Sequence, residues 1–189
     1  YFGSTDNRQQ TTDIYQKDDY ILCTIHRNNN TDEPKRLNSI FRALIRLSEE
    51  KDIIIPLHPR TKKLLDINLD SETYNTLINN RRIHITEPVS FLEMISLEKN
   101  ASLVLTDSGG VQKEAYFFKK PCIIMRSETE WKEIVEVGAA IIADADEEQI
   151  IEAYHHFKDN DTIEFPEIFG DGRAAEFICK ELINNKTRS

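Results

Sequence analysis

Cysteine is scarce in this sequence. Cys23, Cys122 and Cys179 lie far apart, are odd in number and show no CxxC spacing, so neither a disulfide framework nor a zinc site is supported and buried thiols are expected. Long apolar runs are missing too, and none approaches the roughly 20 residues of a membrane-spanning helix. The first residues, "YFGSTDNRQQ", lack the basic and apolar regions of a secretion signal, so a cytoplasmic protein is expected. Positive charge is in the minority. With 24 basic against 33 acidic side chains and a formal net charge of -9, broad binding to nucleic acid or to an anionic membrane is not expected, which leaves room for a local basic pocket. There is no methionine at Tyr1, and the chain is read as a fragment of something longer.

What is present has the makeup of a globular domain, 39% hydrophobic and 30% charged over 189 residues. After a polar, partly flexible lead-in over residues 1–19, short apolar runs alternate with segments of helical period. The predicted strands are "YILCTI" (20–25), "IIIPL" (53–57), "RIHIT" (82–86), "SLVLT" (102–106), "CIIM" (122–125) and "AAIIA" (139–143). Several are apolar at consecutive positions, as strands covered on both faces are. Between them, "EPKRLNSIFRALIRLSEE" carries Leu37, Ile40, Phe41, Leu44, Ile45 and Leu47 as one stripe, and "SFLEMISLEKN", "VQKEAYFF" and "TEWKEIVEV" also read as helices. Two more helices are expected around 147–158 and 173–184. This alternation predicts one domain over 20–189: a three-layer α/β, doubly wound parallel sheet of about six strands, Rossmann-like.

In such sheets ligands bind beyond the carboxyl ends of the strands, and the loops there are "HRNNN" (26–30), "HPR" (58–60), "EPVS" (87–90), "DSGG" (107–110) and "RSETEW" (126–131). Cations and small hydrogen-bonding residues therefore gather on one edge of an acidic protein. In "LVLTDSGGVQKEAYF" a strand runs through a tight turn into a helix start, where unpaired amides and glycine suit Ser108, Gly109 and Gly110 to a phosphate or diphosphate. The bland alternative is a plain capping turn with Asp107 or Ser108 as N-cap. The pattern is neither GxGxxG nor a P-loop. Glu114, four residues after Gly110 and about 6 Å further along the helix, is placed to accept hydrogen bonds from a ribose diol. Lys113 reads as a solvated surface charge. The pairs His26/Arg27 and His58/Arg60 end two strands expected to be neighbours and would neutralise a diphosphate. Metal binding by His26 and His58 lacks a third ligand of suitable spacing, and Ser108 forms no GxSxG nucleophile elbow. His84, His155 and His156 are given no role.

The stretches "TIHRNNNTDEPKRL", "PLHPRTKKLL", "ITEPVSFLEMISLEKNASLVLTDSGGVQKEA", "KPCIIMRSETEWKEIVEVG" and "GDGRAAEFI" together resemble the carboxyl-terminal half of the non-hydrolysing UDP-N-acetylglucosamine 2-epimerases, in order from about residue 20 to 182. The resemblance implies half of a glycosyltransferase-B-type fold, in which this domain carries the UDP and an amino-terminal domain, not in this chain, carries the proton-transferring carboxylates. It implies that His26 meets the diphosphate and stabilises the leaving group, that Ser108, Gly109 and Gly110 bind it through the helix start, and that Glu114 holds the ribose. It implies further that the backbone around Val89 and Met94 brackets the uracil and that Arg126 lines the same edge. Arg27 and His58 match positions that meet a second, regulatory UDP-sugar in some bacterial members. UDP and UDP-sugar are the expected ligands, with no cofactor and no metal, and the full-length protein is expected to be a homodimer engaged in polysaccharide biosynthesis.

The family's common HRxEN has Asn29 here in place of glutamate, and Trp131 stands where an arginine is frequent after "TE". The "HPRT" (58–61) and "ETEW" (128–131) variants resemble members that act on diacetamido-uronic acid nucleotides or other modified sugars. A glycosyltransferase of the same architecture would hold a nucleotide sugar at the same edge. A response-regulator-like module would need an acidic cluster where this chain has "HRNNN".

Overall fold

The structure is a computed structural model that describes residues 19–160 and 162–186. Apart from Asp19, the polar lead-in lies outside the described residues. Six strands, β1 (Tyr20–Thr24), β2 (Asp52–Pro56), β3 (Ile83–Thr86), β4 (Leu103–Thr106), β5 (Cys122–Ile124) and β6 (Ala140–Ile142), form one sheet in the order β3-β2-β1-β4-β5-β6. All five pairings are parallel. Each predicted strand is present to within two residues at either end. The order reverses between β1 and β4, and their register sets Thr24 opposite Thr106, so the loops leaving both strands start level with each other.

Helices cover both faces. α2 (Pro34–Leu47) starts with Pro34 in its first turn and buries Leu37, Ile40, Phe41, Ala43, Leu44 and Leu47, while Ile45 is only partly covered. Each such aliphatic or aromatic side chain contributes about 1.5–3 kcal/mol on leaving water. With α8 (Glu147–Lys158), α2 packs on the face formed by Ile21, Cys23, Ile53, Ile55 and Leu105. The opposite face, with Leu22, Ile54, Val104 and Ile124, lies under α5 (Phe91–Asn100), α6 (Gly109–Phe117) and α7 (Lys132–Glu136). A capping box starts α5, in which the Glu93 carboxylate accepts the Ser90 amide at 2.7 Å and Ser90 Oγ accepts the Glu93 amide at 3.4 Å.

Three helices were not anticipated: α1 (Asn28–Thr31), α3 (Pro59–Asn68) and α4 (Ser71–Asn79). The latter two bury only Thr61 with Leu65 and Thr73 with Leu77, too thin a stripe to stand out as a period. The last helix, α9 (Ala174–Lys186), exposes Phe177, Ile178, Leu182 and Ile183 by more than half. Cys23 and Cys122 are buried as expected, whereas Cys179 sits on α9 and is exposed, so the expectation of three buried thiols fails there. Lys113 is not a plain surface charge either. Its Nζ lies 4.2 Å from the centre of the Trp131 ring and 4.5 Å from that of Phe169, holding the segment that contains Phe169 against α6. Among the described residues no helix is long and apolar enough to cross a membrane.

Candidate functional site

The point where strand order reverses is where a doubly wound sheet opens a crevice for ligand, and there the loops after β1 and β4 meet. The β4 loop is set by side chains within the sheet. Thr24 Oγ1 and Thr106 Oγ1 are 2.6 Å apart, and Thr106 Oγ1 accepts the Ser108 amide at 2.9 Å. Ser108 occupies the N-cap position of α6 but makes no side-chain capping bond. Asp107 does not cap α6 either, so the plain capping turn is not what forms. The leading amides of α6 have no partner within the helix, and no side chain of the turn satisfies them.

Asp107 points the other way, into the β1 loop. It is fully buried, and its carboxylate accepts the backbone amides of His26 at 3.2 Å and Arg27 at 3.0 Å. It also accepts Asn30 Nδ2 at 3.1 Å and lies 2.9 Å from His26 Nδ1. A buried carboxylate is tolerated where it is bonded this fully. Its hydrogen bond raises His26 above the usual imidazole value, against partial burial and the nearby charge of Arg27. With Nδ1 engaged on Asp107, Nε2 is the ring atom left for a ligand. Asn30, buried as well, bonds both Asp107 and the Met125 carbonyl, at 2.9 Å for the latter, and its Oδ1 accepts from Arg36, which also grips Asp144. One amide side chain thereby ties together the loops after β1, β4 and β5.

The two glycines differ. A Cβ on Gly109 would come within 3.1 Å of Glu130 Oε2, and the Gly109 carbonyl accepts Trp131 Nε1 at 2.7 Å, so the chain crowds that residue. A Cβ on Gly110 would meet only Ser108 Oγ at 3.8 Å, which leaves the space in front of its backbone open. Arg126, after β5, is committed to Glu130 through two bonds of 2.8 Å, and the arginine holds that carboxyl below the usual carboxylate range. Glu114 stands one turn beyond Gly110, partly exposed. Val89 precedes α5 and Met94 lies in its first turns, both partly buried against the apolar cluster beneath α5 and α6.

The second cation pair is arranged differently from the first. β1 and β2 are neighbours, and Arg60 binds Asp32 at 2.7 and 2.8 Å and Asn28 at 3.0 Å, so its charge is already answered by groups of the β1 loop. His58 caps α3, its Nδ1 accepting the Arg60 amide at 3.2 Å. Sequence reasoning missed what Asp107 and Asn30 do. Apart from Arg36, their partners lie 77 to 95 residues away in the chain, and the one local hint is an acidic residue directly after four buried strand residues. Among the described residues no group of three His, Cys, Asp or Glu side chains is placed to hold a metal ion.

The family model for UDP-N-acetylglucosamine 2-epimerase matches residues 3–183. A UDP-N-acetylglucosamine 2-epimerase of Methanocaldococcus jannaschii is 44% identical over 172 residues, covering 89% of this chain and 46% of that protein. A UDP-2,3-diacetamido-2,3-dideoxy-D-glucuronate 2-epimerase of Pseudomonas aeruginosa is 39% identical over 171 residues, with the same coverage of 89% and 46%. The crystal structure of a Methanocaldococcus jannaschii UDP-GlcNAc 2-epimerase in complex with UDP-GlcNAc and UDP matches with a TM-score of 0.80 at 40% identity, over 96% of this chain and 49% of that one. The chain spans about half the length of the relatives it matches.

Proposed function

Because this chain belongs to the UDP-N-acetylglucosamine 2-epimerase family, we propose that it is the carboxyl-terminal, UDP-holding half of an epimerase acting on UDP-N-acetylglucosamine. The diphosphate lies between His26 Nε2 and the turn at Ser108, Gly109 and Gly110, where the two glycine amides lead α6 and Ser108 offers its hydroxyl. The ribose diol reaches Glu114, and the uracil lies by Val89 and Met94. Arg126 joins the diphosphate once released from Glu130. The observation that carries this reading is the meeting of an imidazole, oriented by a buried carboxylate, with an uncapped helix start at the sheet's switch point.

That arrangement supplies what the reaction needs from this side. A base on the other half of the protein removes the proton at carbon 2, a double bond forms between carbons 1 and 2, and the glycosidic electrons leave on the UDP oxygen. Re-addition returns that oxygen to carbon 1 and a proton to the opposite face of carbon 2. Negative charge grows on the diphosphate as the bond breaks, so preorganised amides and an imidazole stabilise the transition state, each such donor contributing about 3 kcal/mol. The proton-transferring carboxylates belong to the amino-terminal half, so these 189 residues alone bind UDP weakly and turn nothing over.

The test is a UDP titration followed by amide chemical shifts. The expected changes cluster at residues 26, 89–94 and 108–114, with smaller effects from ADP; shifts centred elsewhere, or equal response to ADP, would refute the reading. A second reading, epimerisation of a diacetamido-uronic acid nucleotide, is favoured by Trp131 in the "TEW" stretch and by the 39% identity to the Pseudomonas enzyme. Product analysis of the full-length protein with both nucleotides separates the two.

A further inference from the structure

Glu98 looks in the sequence like one more surface acid of α5, yet it is fully buried. Neither of its oxygens accepts a hydrogen bond from an ordinary donor, and the group that reaches it is another carboxyl, that of Glu114. A buried carboxylate without partners is among the costliest things a fold can hold, so an unbonded Glu98 marks a group kept neutral or one with an unfilled task. The side chain that acts on it is Glu114 of α6, the helix packed beside α5, through like charge and through a carboxyl–carboxyl contact. Two carboxyl groups in contact, one of them buried, do not readily both ionise. Burial, and then the neighbouring Glu114, push Glu98 up to about 8, so the proton of the pair stays on the buried member at neutral pH. The other titratable groups near Glu98 are the buried Cys122 thiol of β5, itself pushed up by burial and by Glu98, and Tyr20 of β1, whose hydroxyl donates to the Leu97 carbonyl.

We propose that Glu98 is a positioning residue for Glu114: held as a neutral carboxylic acid between α5 and α6, it donates its single proton to one Glu114 oxygen and leaves the other free to accept from the ribose diol. A protonated carboxyl has one O–H donor, and the Glu114 carboxylate is the acceptor the structure offers it. The bond fixes a side chain on the helix surface that would otherwise sample several rotamers, and it gives the buried acid the partner it lacks. This inference rests on the reading of Glu114 as the ribose contact and adds to it a proton on which ribose recognition depends.

The experiment compares UDP with 2′-deoxy-UDP in the full-length protein by calorimetry between about pH 6.5 and 9.5, a window chosen to bracket a neutral-to-ionised change. Both ligands carry the same diphosphate, so the ratio of their Kd values removes any contribution from His26. In the wild type the ratio is expected to be about tenfold at low pH, as for one lost charge-assisted bond, and to fall toward one at high pH as Glu98 loses its proton. In Glu98→Gln, which keeps a permanent donor of nearly the same shape, the ratio is expected to stay high throughout. In Glu98→Leu, which keeps the fold but removes the donor, it is expected to be low throughout. A flat wild-type ratio, or a Glu98→Gln ratio that still falls, overturns the proposal. Glu114→Gln separates the two failures. If it abolishes the discrimination while the wild-type ratio stays flat with pH, only the role of Glu98 is lost; if UDP and 2′-deoxy-UDP bind alike in the wild type at low pH, the ribose reading of Glu114 fails and takes the proposal with it.

Discussion

Replacing Gly110 by alanine separates a turn shaped for folding from a turn shaped for a ligand. The added Cβ meets only Ser108 Oγ, at an ordinary contact distance of 3.8 Å, and Gly110 lies within the first turn of α6. Alanine is the better helix former, by up to about 1 kcal/mol, so the folded state loses nothing and gains slightly. The ligand meets a different situation. An oxygen bonded to a backbone amide sits about 2.9 Å from the nitrogen, and a methyl group on the open side of Gly110 occupies the approach. Loss or stretching of a charge-assisted bond costs about 2 kcal/mol, close to a 30-fold rise in Kd. Calorimetry with UDP and a thermal melt of the same preparation give both numbers. The expected result is an unchanged or higher Tm together with UDP binding weakened about 30-fold or more. Wild-type affinity in Gly110→Ala would refute the placement of the diphosphate on this helix start, and a clear fall in Tm would show that the glycine serves the fold.

Asp107→Asn turns an amide group toward donors that need an acceptor, and the expected loss is about 2 kcal/mol of stability, read by denaturant titration. His26 gives that pair a pH signature: its folded value is raised by Asp107, so its contribution to stability is complete below the unfolded imidazole value of 6.5 and disappears as pH climbs through the raised folded value. An NMR titration should show the His26 midpoint above 6.5 in the wild type and lower in Asp107→Asn, and identical midpoints would contradict the pairing. Glu130→Gln removes the carboxylate that occupies Arg126 and crowds Gly109, so UDP should bind several-fold more tightly. Weaker binding would mean that Glu130 holds Arg126 in place for the nucleotide.

The sheet was readable because its strands are written as uninterrupted apolar runs such as Ile53 to Ile55 and Leu103 to Leu105, and central strands covered on both sides have few other ways to appear. The glycine turn was readable because it is local, with strand, turn and helix inside fifteen residues. What escaped has one physical cause in several forms. Asp107 looked like a cap for the helix it precedes, but its donors come from the loop after β1, about 80 residues earlier. Glu98 drew no reading because its neighbours Lys99 and Asn100 are polar, while the helix turns Glu98 inward. Lys113 carries a charge that composition assigns to water, and it takes two aromatic rings from distant segments to reveal otherwise. Arg60 was taken as free because Asp32, its counterion, sits at the end of a helix only four residues long.

The amide of Asn30 makes the nucleotide edge a single mechanical part. A displacement of the β5 loop pulls on the Met125 carbonyl, then on Asp107, then on the imidazole, so none of the ends of β1, β4 and β5 drifts without the other two. Catalytic geometry at such an edge is inherited as a block: a substitution that retunes one loop is felt by its two companions, and change is expected to enter through the outer residues Glu130 and Trp131, which the tether does not reach.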